Sequence, residues 1–452
     1  MALCGAAACN PVFVLPAVLA RAVFARLPAD ARARAACVCR GWHDAVAEPS
    51  LWTLLDLSHG SGVTCFVLDK HLRAAAKRAR GGLQTLAVTG RYDLWDALRA
   101  VVAENAATLR ELSVLCTFHE LGHRHTYRID AWFIEQLLAL ISLAPALQAV
   151  VADAKTGFAT ARQMLRNEPP YELLRLRQLE IDCSHADKDI AGLVADMVTH
   201  RSLRTLVLKA FNLWRCWAPE LDLLLHAACT LNLTAFHCNH CCPTPANAPA
   251  LARLLRSSTL TSLKLDGSQA DGQPVSMLNA SAAALLANAL RASCTLRILQ
   301  LNAVRLLVDA ESAAVLFSAV TSHVSLNSLS FMYNPVDPAA AHTIGAALGA
   351  LVAADAPALA ILFLKGCALG DAGLGPLVDA LPRNTHLHNL DVSDNDLSNE
   401  FAEQRLLPAV RANTTLRLLN ARYFGHDLAA SEAEQYVLDR EKAKARLTAS
   451  AS

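Results

Sequence analysis

The chain has 452 residues, enough for two or three domains or for one long repeat array. Apolar residues make up 54% and charged residues 18%, against a usual ~25% charged, so a large core is available. A net charge of +1 excludes an electrostatic case for nucleic acid or an anionic membrane, and 14 scattered cysteines in mostly apolar runs point to reduced, buried thiols in a cytoplasmic or nuclear protein.

Residues 11–24, PVFVLPAVLARAVF, are apolar like the core of a signal peptide, but no basic segment precedes them and Arg21 interrupts them. The arginines of residues 1–43, with Asp30 as the early acid, also suit an organelle targeting segment. The spacing over 15–52 predicts instead two amphipathic helices. Leu15, Leu19, Val23 and Leu27 form a stripe on the first, and Pro28 breaks it. Asp30 caps the second, whose face is Ala35, Val38, Trp42 and Ala45, and Pro49 ends it. Some forty residues are too few for a core of their own, so this module rests on the rest of the chain, on a partner, or on both.

Here the chain resembles an F-box. Leu15-Pro16, Val23-Phe24, Leu27, Val38-Cys39, Trp42 and Leu51-Trp52 stand at the family's spacing, while Val18 takes the place of an acidic residue and Leu19-Ala20 that of an apolar pair. A targeting segment needs neither Trp42 nor Leu51-Trp52, nor the run-on into the strand-like LLDLS. The resemblance implies that Leu15, Pro16, Val23, Phe24, Leu27, Val38, Cys39 and Trp42 bind a Skp-type adaptor. The adaptor in turn joins a cullin-RING ubiquitin ligase, and the remaining chain holds an unknown protein substrate. No catalytic residue, metal, cofactor, nucleic acid or membrane enters that scheme.

The basic run KHLRAAAKRAR, Lys70 to Arg80, fits a nuclear signal or a patch for an acidic partner, and also the solvated face of a first repeat helix. From Leu83 on, a pattern Leu-x-x-Leu-x-Leu recurs, beginning at Leu83, Leu109, Leu147, Leu176, Leu203, Leu233, Leu260, Leu296, Leu326, Leu359, Leu387 and Leu416, at a mean spacing of about 30 residues. Each such segment predicts a short strand with its leucines inward. Stretches such as AAALLANAL (282–290) and DAGLGPLVDAL (371–381) predict the returning helices. Asn395, in LHNLDVSDNDL, caps the turn where the chain leaves its strand. Residues 83–424 resemble leucine-rich repeats of the ribonuclease-inhibitor-like class. The expected fold is therefore α/β: a solenoid with a parallel sheet on its concave side and helices on its convex side, preceded by a small helical module. The expected division is 11–57 for the F-box-like module, 58–82 for a connecting helix and partial repeat, 83–424 for about 12 repeats, and 425–452 for a capping helix (Ser431 to Arg446) with a loose tail.

Two clusters suggest metal chemistry. HELGH, 119–123, matches the zinc-protease pattern, with His119 and His123 as ligands and Glu120 as base. It falls in the unit from Leu109 to Leu147, which is about 8 residues longer than the mean, and so reads as an inserted loop ahead of a helix beginning at Asp130. Gly122 opposes the required helix, while His119, His123 and His125 leave an adventitious surface metal site open. HCNHCC, 237–242, has Cys238 and Cys241 inward and His237 outward, so neighbours on opposite faces of a strand cannot readily share one ion.

The central outward positions are Ala87, Ser113, Val151, Glu180, Val207, His237, Lys264, Gln300, Ser330, Phe363, Asp391 and Asn420. This is a mixed protein-binding surface, with Glu180, His237, Lys264, Gln300, Phe363, Lys365 and Asp391 as candidate substrate contacts and Phe363 as its anchor. Other readings are a plain leucine-rich-repeat scaffold, a Ran-type GTPase activator (whose acidic tail is missing from EKAKARLTASAS), and the zinc protease.

Overall fold

A computed structural model describes residues 52–57, 69–90, 95–116, 126–183, 189–209, 218–239, 241, 243–267, 279–307, 310–422 and 428–451. Among the described residues, thirteen parallel strands alternate with helices. The chain divides into two compact units, residues 1–156 with 160–179, and residues 157–159 with 180–452.

In the first unit, strands β1 (Leu54–Leu57), β2 (Thr85–Gly90), β3 (Glu111–Cys116) and β4 (Ala149–Gly157, whose last residue belongs to the second unit) pair in chain order. Helices Asp69–Ala79, Trp95–Glu104 and Thr126–Leu143 connect them. The middle helix buries Trp95, Leu98, Val101 and Val102, the one-sided stripe that a helix lying on a sheet requires. The third begins four residues ahead of Asp130, because nothing in Thr126–Ile129 breaks a helix. Trp52, just before β1, is 1% exposed, with the Arg78 guanidinium 5.1 Å from its ring centre. HELGH lies outside the described residues.

Strand β5 (Leu174–Asp182) carries the chain across the division. In the second unit, β6 (Thr205–Lys209), β7 (Ala235–Asn239), β8 (Ser262–Asp266), β9 (Ile298–Asn302), β10 (Ser328–Ser330), β11 (Ile361–Phe363), β12 (Asn389–Asp391) and β13 (Leu418–Asn420) each pair with the next. The register aligns Leu206, Phe236, Leu263, Leu299, Leu329, Leu362, Leu390 and Leu419 in one inward row, and none of them is more than 3% exposed. Burial of each such side chain contributes about 1.5–3 kcal/mol, and only neighbouring units supply that burial.

Polar side chains hold the units in step where the backbone ladder stops. At the strand entry a hydroxyl donates to the carbonyl of the first leucine one unit back: Thr259 to Leu233, Thr295 to Leu260, Ser325 to Leu296 and Thr415 to Leu387, at 3.1, 2.9, 3.0 and 3.2 Å. At the strand exit a buried amide bridges two units. Asn395 donates to the Leu364 and Val392 carbonyls (2.8 and 3.0 Å) and accepts from the Cys367 and Leu369 amides (3.1 and 3.2 Å). Asn334 does the same with Leu301, Phe331, Val304 and Leu306. Cys241 and Cys367 fill the same turn position. Their thiols donate to the carbonyls of Cys238 (3.3 Å) and Phe331 (3.1 Å), and burial pushes the Cys367 thiol up to about 12.

On the helical side, small residues set the approach. Gly345, in helix Ala341–Ala353, and Gly373, in helix Gly370–Ala380, bring backbone onto backbone: a Cβ at Gly345 would lie 2.1 Å from the Gly373 carbonyl oxygen. The last strand is covered by helix Leu428–Ala451, which buries Ala430, Ala433 and Val437. The Glu434 carboxylate accepts from the backbone amides of Ala421 (2.7 Å) and Arg422 (3.2 Å), in the place a further strand would occupy. Arg440 donates to the carbonyls of Asn413 and Leu416. This helix continues past Arg446 through the TASAS segment to Ala451, since alanine favours helix and Thr448 bonds back to the Ala445 carbonyl at 2.8 Å.

Candidate functional site

The inward leucines leave every alternate strand residue facing out, so the sheet presents rows of side chains. In the first unit Ala87, Ser113 and Val151 stand in register. In the second unit the row is Val207, His237, Lys264, Gln300, Ser330, Phe363, Asp391 and Asn420, each opposite the next. His237, Lys264, Gln300, Phe363, Lys365 and Asp391 are half-buried, which leaves each accessible to a partner. Glu180 differs from its expected role as an open contact. It is 7% exposed, because the Lys209 ammonium covers it at 2.7 Å.

Hydrogen bonds order the face. His237 Nε2 meets Ser262 Oγ at 2.9 Å, and the Gln300 amide donates to Asp266 at 2.8 Å. Ser330 donates to Asn302 at 2.8 Å, and Asn420 donates to Asp391 at 3.0 Å. Asp391 also accepts from the backbone amide and hydroxyl of Ser393, at 3.1 and 2.6 Å. Lys365 pairs with Asp394 at 3.2 Å and lies 5.8 Å from the ring centre of Tyr333. The bond to Asp394, with Tyr333 adding to it, raises the Lys365 pKa against partial desolvation. Gly366, at φ +66°, permits this packing: a Cβ there would lie 2.6 Å from Tyr333 Cδ1.

The face offers paired charges, amides and apolar side chains, which suits binding rather than bond making. Among the described residues, Asp355, Thr385 and His386 stand together as a catalytic grouping would. There His386 Nδ1 takes both contacts, with Asp355 at 3.0 Å and Thr385 Oγ1 at 3.2 Å, so no relay runs through the ring. Among the described residues, no group of three or more His, Cys, Asp or Glu side chains is placed to hold a metal ion. Cys238 and Cys241 are fully buried while His237 faces outward. No described helix is long and apolar enough to cross a membrane.

Sequence reasoning missed Asn334, which stands eight residues after Leu326 as Asn395 does after Leu387. It also missed the buried polar residues three before the leucines, Asn384, Asn413 and His323. The strings RNTHL and ANTTL carried that signal.

Leu15, Pro16, Val23, Phe24, Leu27, Val38, Cys39 and Trp42, expected to contact an adaptor, lie outside the described residues. No curated protein matches the chain. Residues 12–58 match the F-box-like family, and the described part of this segment is residues 52–57, including β1, which pairs with β2. The chain thus carries an F-box-like domain, a kind of domain that in general binds Skp-type adaptors in non-catalytic substrate-recognition subunits.

Proposed function

We propose that this chain is the substrate-recognition subunit of a Skp-cullin-F-box ubiquitin ligase, acting in the cytoplasm or nucleus. The observation that carries the reading is the match of residues 12–58 to the F-box-like family, a segment that includes β1, which pairs in parallel with β2. The repeats are of the leucine-rich class and form a solenoid. Support comes from the recurrent inward leucines and from the asparagines at the strand exits, Asn334 and Asn395.

In this reading Leu15, Pro16, Val23, Phe24, Leu27, Val38, Cys39 and Trp42 bind the adaptor, which links to the cullin-RING ligase. The outward sheet face holds a protein substrate, with Phe363 among its anchors. Catalysis is by proximity: a held substrate lysine meets the charged ubiquitin carrier at raised effective concentration, and this chain performs no bond chemistry.

The test is binding of the purified chain to a Skp-type adaptor, beside a Phe24→Ala variant. Phe24 is a buried anchor in this reading, so its truncation should cost about 2–4 kcal/mol, a loss of roughly 30- to 1000-fold. An intact, folded chain that fails to bind any Skp-type adaptor would leave a repeat scaffold with no ligase role.

A further inference from the structure

Along the central outward row, Lys264, Gln300, Ser330, Phe363 and Asp391 follow one another on β8 to β12. The charges at the two ends differ from other charges on the same sheet. Lys209, Lys365 and Arg422 each hold an acidic partner, Glu180, Asp394 and Glu434 in turn. Lys264 and Asp391 form no ion pair with any described residue, and Asp266, two residues along from Lys264, is held by Gln300 at 2.8 Å. One end of the row thus offers a cation and the other an anion, each half-buried and aimed out of the sheet.

Midway between them the face dips. Ser328 and Ser330, the small outward side chains of β10, stand between Ile298 and Gln300 on β9 and Ile361 and Phe363 on β11. Ser330, 3% exposed beneath these larger neighbours, forms the floor, and half-buried Ser328 leaves a shallow depression open beside it. The dip is one strand wide with partly apolar walls, the shape that takes a single apolar side chain.

Spacing then selects the occupant. Lys264 to Ser330 is two strand steps, and Ser330 to Asp391 is two more. At ~4.8 Å per step each interval is about 9.6 Å. One turn of polyproline II helix is three residues at ~3.1 Å, about 9.3 Å, and it returns every third side chain to the same side. A β-strand peptide places residues three apart on opposite sides and cannot make this match.

We infer that the second unit binds a protein segment in polyproline II conformation that carries an acidic residue, an apolar residue three positions along and a basic residue three further. The acidic residue pairs with Lys264, the apolar one fills the dip over Ser328 and Ser330, and the basic one pairs with Asp391. This assignment rests on the receptor reading above and names the class of substrate it takes.

The test is fluorescence anisotropy of the full chain with a labelled peptide Glu-Pro-Pro-Leu-Pro-Pro-Lys, whose prolines hold the conformation. Saturable binding is expected. It should weaken about tenfold in Lys264→Glu and return when the peptide's acidic end is made basic, as for a close interfacial charge pair. Spacers of two or four residues in place of three should weaken it by a similar factor. Lys264→Glu and Asp391→Lys both change half-buried outward positions, and circular dichroism matching the parent is required of each variant before its binding is compared. Binding that is indifferent to both charge reversals and to spacer length overturns the assignment, as does no saturable binding by the folded chain. Adaptor binding by the same preparation separates the two readings. Adaptor bound without peptide leaves the receptor and removes this substrate class. Peptide bound without adaptor removes the ligase role.

Discussion

Asn395 satisfies four backbone groups in two successive units, and a hydrocarbon of its size would leave all four buried and unpaired. Asn395→Leu should therefore cost about 2–4 kcal/mol, read as a shift of the urea midpoint. The helix-exit position makes the converse case. Asn384 donates to the Val352 carbonyl at 2.9 Å and accepts from the Leu387 amide at 2.7 Å, and Asn413 does likewise with Leu381 and Leu416. At the same position His323 Nδ1 accepts from the Leu326 and Ser325 amides, at 3.1 and 3.3 Å, which puts its proton on Nε2, and that atom is buried without a partner. His323→Asn should stabilise the chain by about 1 kcal/mol, measured by the same melts. Burial also lowers the His323 pKa below 6.5, so the folded chain binds its proton less readily than the unfolded chain does. The stability held by the neutral ring is complete above pH 6.5 and drains away as pH falls below it, and His323→Asn should flatten that slope.

At the scale of elements, each strand owes its existence to alternate leucines, and each helix to how closely it can approach its neighbour. The Gly345–Gly373 contact shows the second condition at its tightest, with a backbone oxygen where a side chain would begin. Gly345→Val should cost at least about 2 kcal/mol, since neither backbone can withdraw without moving its helix off the core. Thermal melts of the purified variant check this. The repeat leucines and the HCNHCC phase were legible from periodicity, because a two-residue period maps directly onto inside and outside. The Gly345 contact was not legible: its glycine looks like any other in an alanine-rich helix, and only the neighbouring helix makes it necessary. Glu180 was misjudged as open for the same kind of reason, since the Lys209 that covers it belongs to the next strand.

A stack of units has two ends, and an open strand edge is a template for another chain. Glu434 closes the edge of β13 by accepting the two amides that follow it, and the helix carrying Glu434 buries Ala430, Ala433 and Val437. A chain ending at Arg422 should therefore unfold at lower urea and associate at micromolar concentration, and Glu434→Ala should show a milder form of both. Sedimentation velocity across a concentration series reads the association, and a monomeric truncated chain would refute the edge-sealing role. At the other end the F-box-like segment includes β1, which pairs with β2.

The sequence by itself determined the repeat, the inward and outward phase of its strands, and the F-box-like stretch, because each depends on local order: a period of two, a period near thirty, or fixed spacings of a few side chains. It also placed Lys264, Phe363 and Asp391 on one outward row. Only the tertiary structure decided which of those outward groups are already satisfied. Lys365 belongs to Asp394 and Lys209 to Glu180, whereas Lys264 and Asp391 have no ionic partner among the described residues, Asp391 being held by hydrogen bonds from Ser393 and Asn420. That distinction is a matter of register between strands some thirty residues apart in the chain, set by the packing of the leucines beneath them, and no local pattern records it.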